Sequence, residues 1–177
     1  EGRVGLTPER LADQIAKGLA GQTVYDACCG IGGNTIAFAR NGATVIAVEK
    51  QRHLLTIAQQ NARGFGIESR ITFVHGDTLC QRATTADICF VDPPWGEEWD
   101  RTCCTLKDFP LAQQLWQRFQ ETAEWHSFWL KVPWSFVPDS LHTSSQVTPV
   151  FGECAGDRQR IKFLLLKVDR QRLLPLP

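Results

Sequence analysis

The spacing of apolar positions changes several times along the 177-residue chain. In "LTPERLADQIAKGLAG", Leu11, Ile15 and Leu19 recur every four residues, which is one face of a helix. Thr7 is placed to cap that helix, Pro8 suits its first position, and Gly21 ends it. Four short apolar runs follow, "TVYDAC", "TVIAVE", "ITFVH" and "ADICFVD", and each reads as a buried strand. A short helix from Asn34 to Arg40 lies between the first two. A longer helix follows the second, with Leu54, Ile57, Ala58, Asn61, Ala62 and Phe65 on one face and Gly64 and Gly66 as its stop. Further on, "PLAQQLWQRFQETAEW" predicts a helix carrying Leu111, Leu115 and Phe119 on one side. "SFWLKV" predicts a fifth strand, and "VTPVFGE" and "RIKFLLLKV" a closing hairpin around "CAGDRQ".

Strands that alternate with helices imply an α/β fold: a mostly parallel sheet with helices on both faces. The final hairpin brings in an antiparallel strand. Residues 1–177 read as one domain, with 1–21 forming an N-terminal helix that precedes the sheet.

Composition narrows the class. Nineteen basic residues balance nineteen acidic ones, so no overall positive field points to nucleic acid, and any such binding has to be local. The seven cysteines include the adjacent pairs Cys28-Cys29 and Cys103-Cys104 but no Cys-x-x-Cys. That usage predicts a reduced, cytoplasmic protein without a metal site. No apolar stretch is long enough to span a membrane, and no secretory signal is visible.

Candidate chemistry gathers where strands end, the place at which open α/β sheets bind ligands. The first strand runs into "DACCGIGGN", where Gly30, Gly32 and Gly33 allow a tight turn and close approach to a ligand. The spacing is G-x-G-G, with Thr35 in the place of the third dinucleotide glycine. Glu49 ends the second strand, where an acid grips two ribose hydroxyls, a feature shared by NAD and S-adenosylmethionine enzymes. Asp77, after the third strand, leans toward S-adenosylmethionine, since its carboxylate can accept from an adenine amino group. Each acid alone reads first as a helix cap or a solvated loop, but three acids and a glycine turn at successive strand ends argue against coincidence.

The fourth strand ends in "VDPPWG", residues 91–96. Two prolines cannot continue a central strand and make a stiff corner. Asp92 adds acceptor oxygens and Trp95 a flat ring, a pairing that suits a planar ligand bearing an amino group. The other reading is a rigid turn with Trp95 plugging the core, and the hexapeptide alone leaves both open.

"VYDACCGIGGNTIAFARNGATVIAVE" resembles the first motif region of class I S-adenosylmethionine-dependent methyltransferases. More narrowly it resembles the RNA cap guanine-N2 methyltransferase (trimethylguanosine synthase) family, whose Asp-x-x-Cys-Gly-x-Gly-Gly-Asn-Thr signature is met by Asp26, Cys29, Gly30, Gly32, Gly33, Asn34 and Thr35. The likeness starts at "LTPERLADQIA", runs through "QQNARGFGIESRITFVHGD" and fades after Gly96. It implies a single-domain Rossmann-like fold with a seven-stranded sheet whose last strand is reversed. It implies S-adenosyl-L-methionine as cofactor, held by Asp26, Cys28, Gly30, Gly32, Asn34, Thr35, Glu49, Asp77 and Thr78. Two departures stand out: Asp92 replaces the family's serine, and Glu97 its second glycine. Asp-Pro-Pro-aromatic occurs more widely among methyltransferases of exocyclic base amines.

The expected activity is methyl transfer to an exocyclic base amine, with guanine N2 in RNA favoured and Asp92, Pro93, Pro94 and Trp95 as the catalytic turn. An adenine-N6 methyltransferase and an inactive nucleic-acid-binding scaffold are the rivals. Asp92 and the Pro93 carbonyl would accept the amine hydrogens, and Trp95 would stack on the base. Trp99 and Trp134 could form a second stacking wall, whereas Trp116, Trp125 and Trp129 read as core. Arg158, Arg160 and Lys162 alternate on an expected edge strand, as an RNA-facing stripe or as a charge-protected edge. The four histidines read as structural or surface residues.

Overall fold

The computed structural model describes residues 6–81, 84–95 and 100–173. Its seven strands form one sheet in the order β3-β2-β1-β4-β5-β7-β6. Strands β1 (Thr23–Asp26), β2 (Thr44–Glu49), β3 (Ile71–His75), β4 (Ala86–Val91) and β5 (Trp125–Val132) run parallel. Strand β7 (Ile161–Asp169) is antiparallel to both β5 and the edge strand β6 (Gln146–Phe151). The mostly parallel sheet with a reversed last strand is therefore present as expected. Strand order reverses between β1 and β4, which makes their carboxyl ends the switch point of the sheet.

Side-chain alternation divides the core in two. Ile88, Phe90, Phe163 and Leu165 face helices α1 (Glu9–Ala16), α2 (Gly33–Arg40) and α3 (Arg52–Gly64). Cys89, Val91, Leu164 and Leu166 face α4 (Pro110–Glu121), which supplies Ala112, Leu115, Trp116 and Phe119. Each face of the sheet thus has its helical cover over the central strands, while the edge strand β6 stays largely exposed. Trp116, Trp125 and Trp129 are all buried, as expected of core residues.

Several local expectations need correction. Thr7 does not cap α1: the helix starts at Glu9, Pro8 sits outside it in an extended conformation, and no side chain caps it. The Thr7 hydroxyl instead accepts a bond from the buried Lys131 ammonium at 2.8 Å, a pairing invisible to local sequence. Helix α1 also ends at Ala16, yet Leu19 stays buried because the following turn folds back onto the core. In α3 the buried face is Leu54, Leu55, Ala58 and Ala62. Ile57 and Phe65 are exposed, with Phe65 lying beneath the Arg40 guanidinium. Trp125 opens β5 rather than closing α4, since Glu121 ends that helix. Arg158 and Arg160 lie in the turn before β7, and β7 is not an edge, so the three basic residues do not alternate along an edge strand. Lys162 pairs with Asp157. Among the described residues no helix is long and apolar enough to cross a membrane.

Candidate active site

The glycine turn is built by extending the parallel ladder past β1. Ala27 N–H donates to the Phe90 carbonyl of β4 at 3.0 Å, and Cys29 N–H to the Val48 carbonyl of β2 at 2.9 Å. The chain is pinned on both sides and then turns through Gly30 and Gly32, both at positive φ (55° and 91°). A Cβ on Gly32 would also come within 3.2 Å of Ala58, so the turn packs directly on α3.

Asp26 lies beneath this turn, buried, accepting from the Thr35 hydroxyl at 2.5 Å and from Cys28 N–H at 3.4 Å. Burial raises its pKa to about 7 against the opposing Thr35 bond, and the nearby Asp92 charge adds to the rise. Thr35 is itself fully buried, so its hydroxyl shapes the turn from inside the protein. Glu49 is spread over two backbone donors: Oε2 accepts from Gly30 N–H at 2.9 Å and Oε1 from Gln51 N–H at 2.8 Å. It thereby ties the glycine turn to the start of α3.

Asp77 caps the short 3-10 turn Thr78–Cys80 by accepting from Leu79 N–H, and pairs with Lys50 at 3.0 Å. The Lys50 bond holds its carboxyl below the usual range. Thr78 is buried, with its hydroxyl bonded to the Tyr25 hydroxyl at 2.9 Å, so its side chain supports the turn from within.

At the end of β4 the structure joins what the sequence separates. Asp92 Oδ2 accepts from Asn34 Nδ2 at 3.0 Å and from Lys131 Nζ at 2.7 Å. Burial raises the Asp92 pKa, and the Lys131 charge acts against that rise. The Cys28 thiol donates to the Asp92 main-chain carbonyl at 3.0 Å, and burial pushes that thiol well above its ordinary range. Pro93 is buried, Pro94 exposed, and Trp95 half-buried against both halves of the core, with the Lys131 ammonium 5.4 Å from its ring centre. Gly96, Glu97 and the expected stacking residue Trp99 lie outside the described residues. Trp134, in the loop after β5, is 52% exposed.

Sequence reasoning missed Lys131 and the inward role of Thr7. The available signal was a single lysine inside the apolar run "SFWLKV": in a central strand such a charge needs a buried partner.

Glu49, Asp77, Asp92 and Asn34 make the carboxyl ends of neighbouring strands rich in acceptors. Asn34 Oδ1 is buried and bonds no group among the described residues. Such a set fits S-adenosylmethionine, whose ammonium, hydroxyl and amino groups are donors. Among the described residues no cluster of acids, histidines or cysteines is arranged to hold a metal.

Comparison with known proteins agrees. The sequence model described as RNA cap guanine-N2 methyltransferase matches residues 21–119, more than half of the chain. The chain belongs to that family. Its members use S-adenosylmethionine, as the sequence led us to expect. Trimethylguanosine synthase of Schizosaccharomyces pombe is 35% identical over 102 residues, covering 51% of this chain and 42% of that protein. A 23S rRNA uracil-C5-methyltransferase of Azoarcus is 34% identical over 92 residues, covering 48% of this chain and 21% of the relative. The chain thus spans less than half the length of these relatives. A T. thermophilus 16S rRNA guanine-N2 methyltransferase, solved with S-adenosylmethionine and guanosine, superposes with a TM-score of 0.67 at 17% identity. That superposition covers 94% of this chain and 44% of the other. At that identity the likeness speaks for the fold, a class I methyltransferase.

Proposed function

We propose that the protein transfers a methyl group to the exocyclic N2 amine of guanine in RNA. One observation carries the reading: the 3.0 Å bond between Asn34, in the first turn of α2, and Asp92 of the proline corner. It joins the turn that would hold the cofactor to the turn that would hold the base.

Glu49 would accept from the ribose hydroxyls and Asp77 from the adenine amine, while the Gly30–Gly32 backbone lets the ligand approach closely. S-adenosylmethionine, when bound, supplies an electrophilic methyl on a sulfonium. Asp92 and the Pro93 carbonyl would draw the amine hydrogens, localise the nitrogen lone pair and stabilise the positive charge that grows there. The methylated nitrogen then gives a proton to water, so no strong base is required. Trp95 would stack on the base and Trp134 could flank it.

The uracil-C5 relatives raise a second chemistry, since carbon methylation needs a nucleophile to add to the ring first. Cys28 is the thiol bonded to Asp92, and it is held protonated and spent on a backbone carbonyl. A protonated thiol is a poor nucleophile, so amine chemistry fits the site better. Adenine N6 shares the amine logic. The family match favours guanine.

The test is incubation of purified protein with methyl-labelled S-adenosylmethionine and RNA, followed by nucleoside mass spectrometry. N2-methylguanosine is the expected product. N6-methyladenosine or 5-methyluridine would overturn the base assignment. Tight cofactor binding with no transfer to any RNA would indicate a scaffold.

A further inference from the structure

We infer that Lys131 is a positioning residue of this site, holding the Asp92 carboxylate and the Trp95 ring in one fixed relation to each other. The inference rests on the roles proposed above for Asp92 and Trp95.

Strand alternation explains how Lys131 gets there. Its neighbours Leu130 and Val132 pack toward α4, so Lys131 points to the α1 side. Its side chain is 6% exposed. A buried ammonium is costly unless paired, and Lys131 has four partners on three segments. It donates to Asp92 Oδ2 at 2.7 Å and to Thr7 Oγ1 at 2.8 Å, and lies 5.4 Å and 4.9 Å from the Trp95 and Phe163 ring centres.

Two consequences follow. With Oδ2 held by Lys131 and Asn34, the carboxylate cannot rotate freely, which fixes the direction in which Oδ1 can accept. Lys131 also favours the charged form of Asp92, against the rise that burial imposes. The groups facing that carboxylate are Lys131 from β5, Asn34 from α2, Thr7 before α1, and Asp26 with Cys28 from the turn after β1. Lys131 is the cation in this set, and the Asp26 charge acts the other way. Because the same ammonium lies against Trp95, acceptor and stacking platform move together if it is removed. A lysine that merely filled space could be replaced by a methionine of similar volume without changing either.

The experiment compares wild type, Lys131→Met, Asp92→Asn and Lys131→Met/Asp92→Asn in the full chain. Aspartate side-chain carbons are labelled, and the Asp92 resonance is titrated by NMR. The Asp92 titration should move to higher pH in Lys131→Met, with cofactor affinity by calorimetry within about twofold. Single-turnover methyl transfer should fall by about a hundredfold, the loss expected when a preorganised polar partner is displaced. Its acid limb should shift upward with the NMR titration. The double variant should be no slower than Asp92→Asn alone, because the two residues act as a unit. An unmoved Asp92 titration, or an unchanged rate with only a lower melting temperature, would reduce Lys131 to a packing residue. If Lys131→Met fails to fold, the double variant still decides: a double variant about a hundredfold slower than Asp92→Asn overturns the inference, and equal rates support it. A wild type that methylates no guanine while the Asp92 titration shifts as stated would overturn the base assignment and leave the inference standing.

Discussion

Asn34 and Asp92 are 58 residues apart in the chain and 3.0 Å apart in the fold. Parallel pairing of β1 with β4 brings their carboxyl ends together, so the turns that leave them must meet. Side chains from both turns are bonded to each other, and a change in one turn is felt in the other.

Asp92 is the first position to probe. Asp92→Asn keeps an oxygen for Lys131 and should fold, while the chemical step loses ~2.7–4 kcal/mol, roughly a hundredfold to a thousandfold. Asp92→Ala should be as slow and also less stable by about 3–5 kcal/mol, because it strands a buried ammonium. Single-turnover kinetics and urea unfolding separate the two effects. A well-folded, fully active alanine variant would remove Asp92 from the reaction.

Glu49 offers a test of the cofactor side. Glu49→Ala removes the acceptor of both Gly30 and Gln51 amides. S-adenosylmethionine affinity should fall by about 1.5–3 kcal/mol, the range for hydrogen bonds to a charged group. Glu49→Gln retains one acceptor and should lose less. Isothermal titration reads both, and unchanged affinity in the alanine variant would place the ribose elsewhere.

Asp26 predicts a pH dependence. Burial raises its pKa in the folded protein to about 7 from the ordinary aspartate value of 3.8. A raised carboxyl favours the folded state most when protonated, so its contribution is full below the unfolded pKa and is lost as pH rises through about 7. Asp92 is shifted the same way, whereas Asp77 and Asp100 are lowered and act in more acid solution. Unfolding free energy should therefore decline from about pH 5 to about pH 8, and Asp26→Asn should flatten that slope. Urea titrations across the range check it; equal slopes in both proteins would show that Asp26 stays ionised.

Trp95 and Trp134, both accessible among the described residues, should behave differently. Trp95 packs on both halves of the core, so Trp95→Ala should lower stability as well as RNA use. Trp134 is 52% exposed, and Trp134→Ala should change stability by no more than ~0.5 kcal/mol while raising KM for RNA. An unaltered KM would exclude Trp134 from the substrate surface.

Much of this was written in the sequence. The strands and helices were legible because their apolar spacing is local, with periods near two and near four that a single chain displays. The glycine turn, Glu49 and the proline corner were legible because positive φ, strand ends and missing N–H groups leave their own residue types behind. Pairings across the sheet leave no such mark. That Thr7 would turn inward to Lys131, that Lys131 would reach Asp92, and that Thr35 and Thr78 would spend their hydroxyls inside the protein depend on which strands lie side by side. The sequence determined a parallel α/β sheet with acceptors at its strand ends. Only the tertiary structure decided which acceptors are already occupied and which cation fixes Asp92, because a buried charge takes its partner from whatever the packing brings within reach.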